Sequence, residues 1–236
     1  MKDGRIKRPP QDPRLQFPLI GKIKCGKKSE KGYPMALDYF LATGKYEGYF
    51  KEAYPDKPST LQVIFMEDRP ELVCNERLEL RDNAGALVAH GDGLNFKVYD
   101  PESEQYKDYS VEDHPQMLDR LVAKHKTEWR SRLTLRFLLP KIGGIIGHWE
   151  FSTSGDKSTI PEIIAVFDAV TEQRGFIRGI IFDLNITMHK SNKPNSKKRF
   201  PVVSLVPNHS RENLEIIKNH IGIGITDKDL QRKNLT

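Results

Sequence analysis

The side chains able to bind a metal ion are scattered along this sequence. They are His90, Asp92, His114, His125, His148 and Cys74. A zinc site usually draws on closely spaced pairs, such as two histidines one helical turn apart or two nearby cysteines. None of these residues has that spacing, and His90-Gly91-Asp92 is more simply a polar bend at a strand end. We therefore predict no metal site and no cofactor.

Motifs for covalent or nucleotide chemistry are missing as well. The sequence contains no GxxxxGK[ST] phosphate loop, no GxGxxG that opens a helix, and no GxSxG nucleophile motif. Paired carboxylates at a recognisable spacing are also not evident. We predict that the protein is not an enzyme. A metal-dependent hydrolase remains an alternative supported only by the isolated histidines.

A turn rich in serine and threonine, STSGDKST at 152–159, precedes a helical pattern. Its hydroxyls, its backbone N–H groups and Lys157 would lie at the positive end of the helix dipole, which favours binding of an anion. Ser158 is expected to cap the helix through its side chain. The alternative is a capped turn with no ligand.

Lysine and arginine are concentrated in two segments. Residues 1–31 hold ten of them against three acids, and residues 190–199 hold five and no acid, although the net charge of the chain is only +6. This segregation favours two contacts with a polyanion, or alternatively a solubilising tail and a solvated loop that meets an acidic protein. Lysine-rich segments suit phosphate contacts better than base readout. The predicted binding residues are Lys22, Lys24, Lys27, Lys28, Lys157, Lys190, Lys193, Lys197, Lys198 and Arg199.

Composition places the chain among water-soluble proteins. Charged residues make up 30% of its 236 residues and the mean hydropathy is −0.58. No apolar run approaches the roughly 18 residues of a membrane span. The N-terminal segment is charged and proline-rich, which is unlike a secretory signal. With only Cys25 and Cys74, the expected compartment is the cytoplasm.

Hydrophobic periodicity predicts an α+β fold, mainly antiparallel sheets with a few short helices and one core helix at about 159–173. Further helices are expected at 34–41, 46–54, 117–133 and 210–221, and a solvated acidic loop at 100–113. Pro201 favours an edge position for the strand near 199–206. The domain prediction is a flexible basic arm at 1–17, a single domain at 18–206 divisible into 18–99 and 132–220, and a tail at 221–236.

Four segments in this order resemble the recombination directionality factor-like family of phages and integrative elements. PMALDYFLATG (34–44) is similar to an early family motif through Leu37, Asp38, Phe40 and Thr43. AHGDG (89–93) stands where the family has a short bend. LPKIGGIIGHWEFSTSG (139–155) resembles a family block through Leu139, Pro140, Gly144, Trp149, Thr153, Ser154 and Gly155. Residues 174–206 resemble a strand, a basic loop and a second strand.

The resemblance implies an accessory protein of a large serine integrase, acting in a bacterial host cell. Such a protein would bind the integrase, DNA or both, and control whether recombination excises or integrates the element. Relatives carry a cysteine-rich insertion, whereas residues 94–131 here contain no cysteine, so zinc is not expected. The alternative function is single-stranded nucleic-acid binding or annealing, in which aromatic side chains stack on bases.

Overall fold

The computed structural model describes residues 17–191 and 198–208, which form eleven strands and four helices. The strands are β1 Leu19–Lys28, β2 Pro34–Thr43, β3 Thr60–Ile64, β4 Cys74–Arg81, β5 Leu87–Gly91, β6 Asn95–Asp100, β7 Gln105–Ser110, β8 Arg130–Phe137, β9 His148–Thr153, β10 Ile181–Lys190 and β11 Arg199–Pro207. The helices are α1 Glu47–Ala53, α2 Pro70–Val73, α3 Met117–His125 and α4 Thr159–Arg174. The α+β class is confirmed, and α4 is the predicted core helix. The predicted arm, tail and helix at 210–221 lie outside the described residues, and the domain limits stay a prediction.

Two sheets make up the framework. The larger has the strand order β2-β1-β9-β8-β4-β5-β6-β7, and the smaller has the order β11-β10-β3. Neighbouring strands are antiparallel except β1 and β9, which run parallel. Reciprocal backbone hydrogen bonds of 3.1 and 2.9 Å between Ile64 and Leu138 join the two sheets. Strand β11 is at an edge, as Pro201 predicts.

The core lies on one side of the larger sheet. In β8, Leu133, Leu135 and Phe137 alternate with polar residues and are fully buried, as expected of a strand with one covered face. Between the sheet and α4, the ring of Phe65 packs with centroids 4.8 Å from Phe167 and 5.3 Å from Phe182. At the far end, α3 covers the same side: Leu121 packs in a cluster with the buried residues of β4, β5 and β6.

Close packing fixes the contact between β1 and β9. Gly21 lies beside Trp149 in the parallel register, and Trp149 is only 1% exposed. A Cβ added at Gly21 would be 2.8 Å from Trp149 Cε3 and 3.1 Å from the carbonyl oxygen of Thr43. Only glycine therefore leaves room for the indole ring at this position.

The prediction of a helix at 34–41 is wrong, because these residues belong to β2. The pairing with β1 shifts register: Lys24 pairs with Leu41, but Gly26 pairs with Ala36. This irregularity places extra residues of β2 between the paired positions. Buried Leu37 and Phe40 are therefore three residues apart, a spacing that imitates a helix. The second predicted helix, at 46–54, is confirmed as α1.

Two further expectations need correction. The acidic segment 100–113 is not a loop but the turn and second strand of the β6–β7 hairpin, in which Lys97 pairs with Asp108 across the strands. The helix expected at 117–133 ends at His125, because Lys126 adopts a left-handed conformation with φ 53° and the chain then enters β8. Among the described helices, none combines the length and apolar character needed to cross a membrane.

Candidate nucleic-acid interface

The second side of the larger sheet carries mainly polar side chains. Strand registers place its residues on one surface, which we call the open face. It comprises Lys22 and Lys24 of β1; Glu150 and Ser152 of β9; Arg130, Arg132, Thr134 and Arg136 of β8; Asn75, Arg77, Glu79 and Arg81 of β4; His90 of β5; Lys97 and Tyr99 of β6; and Tyr106 and Asp108 of β7. Cations outnumber carboxylates on this surface.

One row of the open face crosses three strands. Glu150 lies between Lys22, whose Nζ is 3.4 Å from Oε1, and Arg136, whose Nε is 3.6 Å from Oε2. Arg136 also donates to the carbonyl oxygen of Leu72 at 3.2 Å. The Lys22 side chain remains 55% exposed. Exposed ion pairs contribute little to stability, so Lys22 can exchange this contact for a bound phosphate at small cost.

Glu79 is the electrostatic centre of the open face. It is 4% exposed, and it accepts hydrogen bonds from Arg77 at 2.7 and 2.9 Å and from Arg81 Nε at 2.9 Å. Arg132 approaches the same carboxylate at 3.8 Å. Burial alone would raise the pKa of Glu79, but the hydrogen bonds from Arg77 and Arg81 outweigh it and hold the pKa below its usual value. The carboxylate is therefore ionised and orients several guanidinium groups.

A polar cleft of about 580 Å³ opens at the start of β8, and we call it the β8 cleft. Its walls come from the end of β4, the segment between α3 and β8, the start of β8 and the turn after β9. The lining residues are Glu79, Arg81, Asp82, Asn83, Lys126, Thr127, Glu128, Arg130, Ser131, Arg132 and Ser154. Every one of them is polar or charged.

Aromatic rings lie at the far end of the open face. The rings of Tyr99 and Tyr106 have centroids 5.5 Å apart and are 39% and 38% exposed. The ring of His90 lies 5.4 Å from that of Tyr106. Burial, reinforced by the positive charge of Arg77, lowers the pKa of His90, so that its ring is neutral at pH 7. These rings form a surface on which a base could stack.

The predicted lysines fall into three separate places. Lys22 and Lys24 lie on the open face, and Lys27 and Lys28 follow at the exposed end of β1. Lys157 is exposed in the turn before α4. Lys190 and Arg199 pair across the end of the β10–β11 hairpin, and Lys198 immediately precedes Arg199. Lys193 and Lys197 lie outside the described residues.

The turn at 152–159 is closed by its own hydrogen bonds. The N–H of Gly155 donates to Thr153 Oγ1, and those of Ser158 and Ile160 donate to the carbonyl oxygen of Gly155 at 3.2 and 3.0 Å. Ser158 precedes α4 but makes no capping bond through its side chain, so that expectation is wrong. Thr159 Oγ1 instead accepts a 3.0 Å bond from the N–H of Val203, which fastens α4 to β11. These bonds occupy donors that an anion nest would need.

The residues that carry the family resemblance divide into core and surface. Leu37, Phe40 and Trp149 are buried. Thr153 helps to shape the turn after β9, and a Cβ at Gly155 would meet Ser158 and Thr159 at 3.3 Å. Asp38 is exposed. Ser154 is exposed and lines the β8 cleft, which makes it the motif residue best placed to contact a ligand.

The candidate metal ligands have structural surroundings. His148 Nδ1 bonds to the carbonyl oxygen of Phe17 at 2.8 Å, and burial lowers the pKa of this ring. Asp92 accepts bonds from the N–H groups of Leu94 and Asn95 at 2.8 and 2.6 Å, which closes the polar bend expected there. Within residues 17–191 and 198–208, no three His, Cys, Asp or Glu side chains are grouped so that they could hold a metal ion.

Sequence reasoning missed the arginines of β4 and β8. It weighed runs of lysine, whereas Arg77 and Arg81, and Arg130, Arg132 and Arg136, are separated by other residues. Within a strand their even spacing places them on one side, and the pairing of β4 with β8 brings the two sets together. Arginines two or four residues apart in a predicted strand were the sequence signal that could have indicated this cationic surface.

Comparison with models of known protein families gives a match. The family profile described as Gp3-like, recombination directionality factor-like, matches residues 20–208, which include every described strand and helix apart from Leu19, the first residue of β1. Neither a curated protein nor a solved structure gives a significant match to the chain. The matched region contains the four segments noted in the sequence, the whole open face and the β8 cleft. The chain therefore belongs to the recombination directionality factor-like family.

Proposed function

We propose that this protein is a non-enzymatic accessory factor that binds a large serine integrase on DNA and sets the direction of site-specific recombination. The family match over residues 20–208 carries this proposal. The open face supports it, because a broad cationic surface attracts the phosphate backbone on which an integrase is assembled.

The factor would act by differential binding. An accessory protein changes the outcome of recombination only if it binds one synaptic arrangement of the integrase more tightly than the other. Stabilising the complex that pairs attL with attR would favour excision. A tenfold preference corresponds to about 1.4 kcal/mol, which one or two charge-assisted contacts can supply.

The test needs a large serine integrase, and the first to try is any that is encoded on the same mobile element as this chain. Gel-shift assays on attL, attR, attP and attB DNA should show a further shift when this protein joins an integrase complex. Recombination assays should show that attL × attR recombination is activated and that attP × attB recombination is reduced. Unchanged recombination in both directions at saturating protein would refute the proposal.

Two double variants separate the surfaces involved. Lys22→Gln with Lys24→Gln removes charge from the open face, and Lys190→Gln with Arg199→Gln removes it from the hairpin end. All four side chains are exposed, so the melting temperature should hardly change. The first pair should weaken the integrase–DNA supershift and make it less sensitive to salt. The second pair shows whether the hairpin also takes part.

A second function is favoured by the Tyr99–Tyr106–His90 group. Exposed rings beside Lys97 resemble the stacking surfaces of proteins that bind single strands. If this is the activity, the protein alone should bind poly-dT, and Tyr99→Ala with Tyr106→Ala should weaken that binding. Binding of poly-dT that is unaffected by this change would exclude the aromatic group as the site.

A further inference from the structure

The β8 cleft has the composition of a phosphate site rather than of a pocket for an apolar metabolite. Small-molecule pockets are lined mainly by hydrophobic and aromatic side chains, whereas every lining residue here is polar or charged. Its volume of about 580 Å³ falls within the range of ligand pockets, which is enough for one nucleotide unit. The cleft is also continuous with the open face through Glu79 and Arg132.

The cations in the cleft differ in what they already bind. Arg81 is held by Glu79 and by a 2.9 Å bond to the carbonyl oxygen of Gly85, and Arg132 lies 3.8 Å from Glu79. Arg130 and Lys126 form no ion pair with a described carboxylate within 4 Å. The cleft lining holds four cations and three carboxylates, and it combines oriented guanidinium groups with two cations, Arg130 and Lys126, that form no such ion pair.

Hydroxyl groups complete the lining. Ser154 is exposed at the cleft, in the turn that follows β9. Thr127 Oγ1 is buried and has no hydrogen-bond partner among the described residues. A buried hydroxyl without a partner is costly, so a ligand that accepts a hydrogen bond near Thr127 would recover that cost. Phosphate oxygens are acceptors of this kind.

Resting on the proposed function, we propose that the β8 cleft binds a phosphodiester group of a DNA strand, with Arg130 and Lys126 as its direct cationic contacts and Ser154 as a hydroxyl donor. Glu79 acts as a positioning residue: it holds Arg81 and Arg132 toward the cleft and does not touch the DNA. Orienting a guanidinium group in advance lowers the entropy lost when it binds a phosphate.

The experiment uses the full chain labelled with ¹⁵N, and two probes: a 12-base-pair duplex and a dT12 single strand. Amide chemical shifts are followed during titration, and affinities are measured by fluorescence anisotropy over a range of salt concentrations. The test variant is Arg130→Gln with Lys126→Gln. The control is Arg178→Gln with Lys124→Gln, which removes the same charge from exposed positions that do not line the cleft.

The expected result is that shift changes centre on residues 126–132 and 154. The test variant should bind about tenfold more weakly, and its salt slope should fall by about 1 for each phosphate that it no longer neutralises. The control should bind within about twofold of the wild type, since charges that do not line the cleft act on a bound phosphate only through screened attraction. Whichever probe produces the shifts identifies the source as duplex or single strand.

Other results would overturn the proposal. Shift changes confined to the β10–β11 hairpin, or equally weakened binding by the test and control variants, would place the phosphate site elsewhere. If neither probe binds at millimolar concentration but the integrase–DNA supershift still forms, the cleft inference fails while the proposed function stands. If the supershift fails as well, both are wrong.

Discussion

Replacing Gly21 by alanine tests the close packing of β1 against Trp149 in the larger sheet. The added Cβ would lie 2.8 Å from Trp149 Cε3 and closer still to Cζ3, so the indole or the β1 backbone must move. Trp149 is 1% exposed and its ring lies 6.0 Å from that of Phe50, which leaves it little space.

The expected cost follows from overpacking. Inserting a methyl group into a well-packed core costs about 1–3 kcal/mol in stability. The added Cβ cannot move away from Trp149 toward β2, because it would also lie 3.1 Å from the carbonyl oxygen of Thr43. Alanine also lowers the conformational entropy of the unfolded chain relative to glycine, which offsets about 0.4–1 kcal/mol of this cost. Because the clash involves both the indole ring and a backbone carbonyl, we expect the upper end of the overpacking range: a net loss of about 2 kcal/mol for Gly21→Ala, or a fall in melting temperature of about 4–8 °C in a chain of this length.

The assay is urea denaturation followed by far-ultraviolet circular dichroism, because tryptophan fluorescence changes when Trp149 is replaced. Trp149→Leu alone should cost about 3 kcal/mol through reduced burial and a cavity. The stability loss of the double variant should be about 2 kcal/mol smaller than the sum of the losses of the two single variants, because leucine at position 149 leaves room for the methyl group of alanine at position 21. Gly48→Ala in α1 is the control: nothing lies within 4 Å of its added Cβ, so stability should stay equal or rise slightly.

Strict additivity of Gly21→Ala and Trp149→Leu would refute this reasoning. So would a Gly21→Ala variant as stable as the wild type, since the register of β1 and β9 then could not be the one described.

Two further predictions concern titratable groups. Glu79→Gln should lower the free energy of unfolding by about 2 kcal/mol at pH 7. The folded pKa of Glu79 lies below its usual 4.5, so this difference in stability from the wild type should hold above pH 4.5. It should shrink as the pH falls through the pKa of the folded state. Urea denaturation at pH 7 and at pH 3.5 measures it, and a difference that does not shrink contradicts the assigned ion pairs. Burial, aided by the charges of Glu76 and Asp168, raises the pKa of Cys74 to about 12, so this thiol should react with a maleimide only after unfolding. Half-buried Cys25, whose pKa burial raises less, should be labelled first; mass spectrometry of the native protein showing Cys74 labelled before Cys25 would contradict this order.

The regular parts of the fold follow from local pattern. Helix α4 has an apolar face that ends at Gly175, which has φ 74°, and β8 alternates cleanly between buried and polar residues. The segment 34–43 does not follow from local pattern, because its burial pattern depends on a bulge that is set by pairing with β1. A register shift of this kind is a property of two strands together. No periodicity within one segment can reveal it.

The same limit applies to the candidate site. Lysines in runs such as 27–28 are visible in sequence, and the structure places them at a strand end. Arg77 and Arg132 are 55 residues apart in number but face each other across β4 and β8. Two like charges opposite each other destabilise a sheet unless a carboxylate lies between them, and Glu79 fills that role. Only the strand pairing shows that these residues form one surface.

The parallel contact between β1 and β9 constrains the order in which the chain can fold. Residues 29–147 separate the two strands, so at about 5–20 residues per second the ribosome needs on the order of 10 s to supply β9 after β1 has been made. Throughout that interval the β1–β2 hairpin has an unpaired edge. The edge of β4 that pairs with β8 is likewise unpaired until β8 has been made. Such edges invite pairing with other chains. Fragments that stop before residue 130 should therefore aggregate, and efficient production of the protein should depend on chaperones that shield nascent strands.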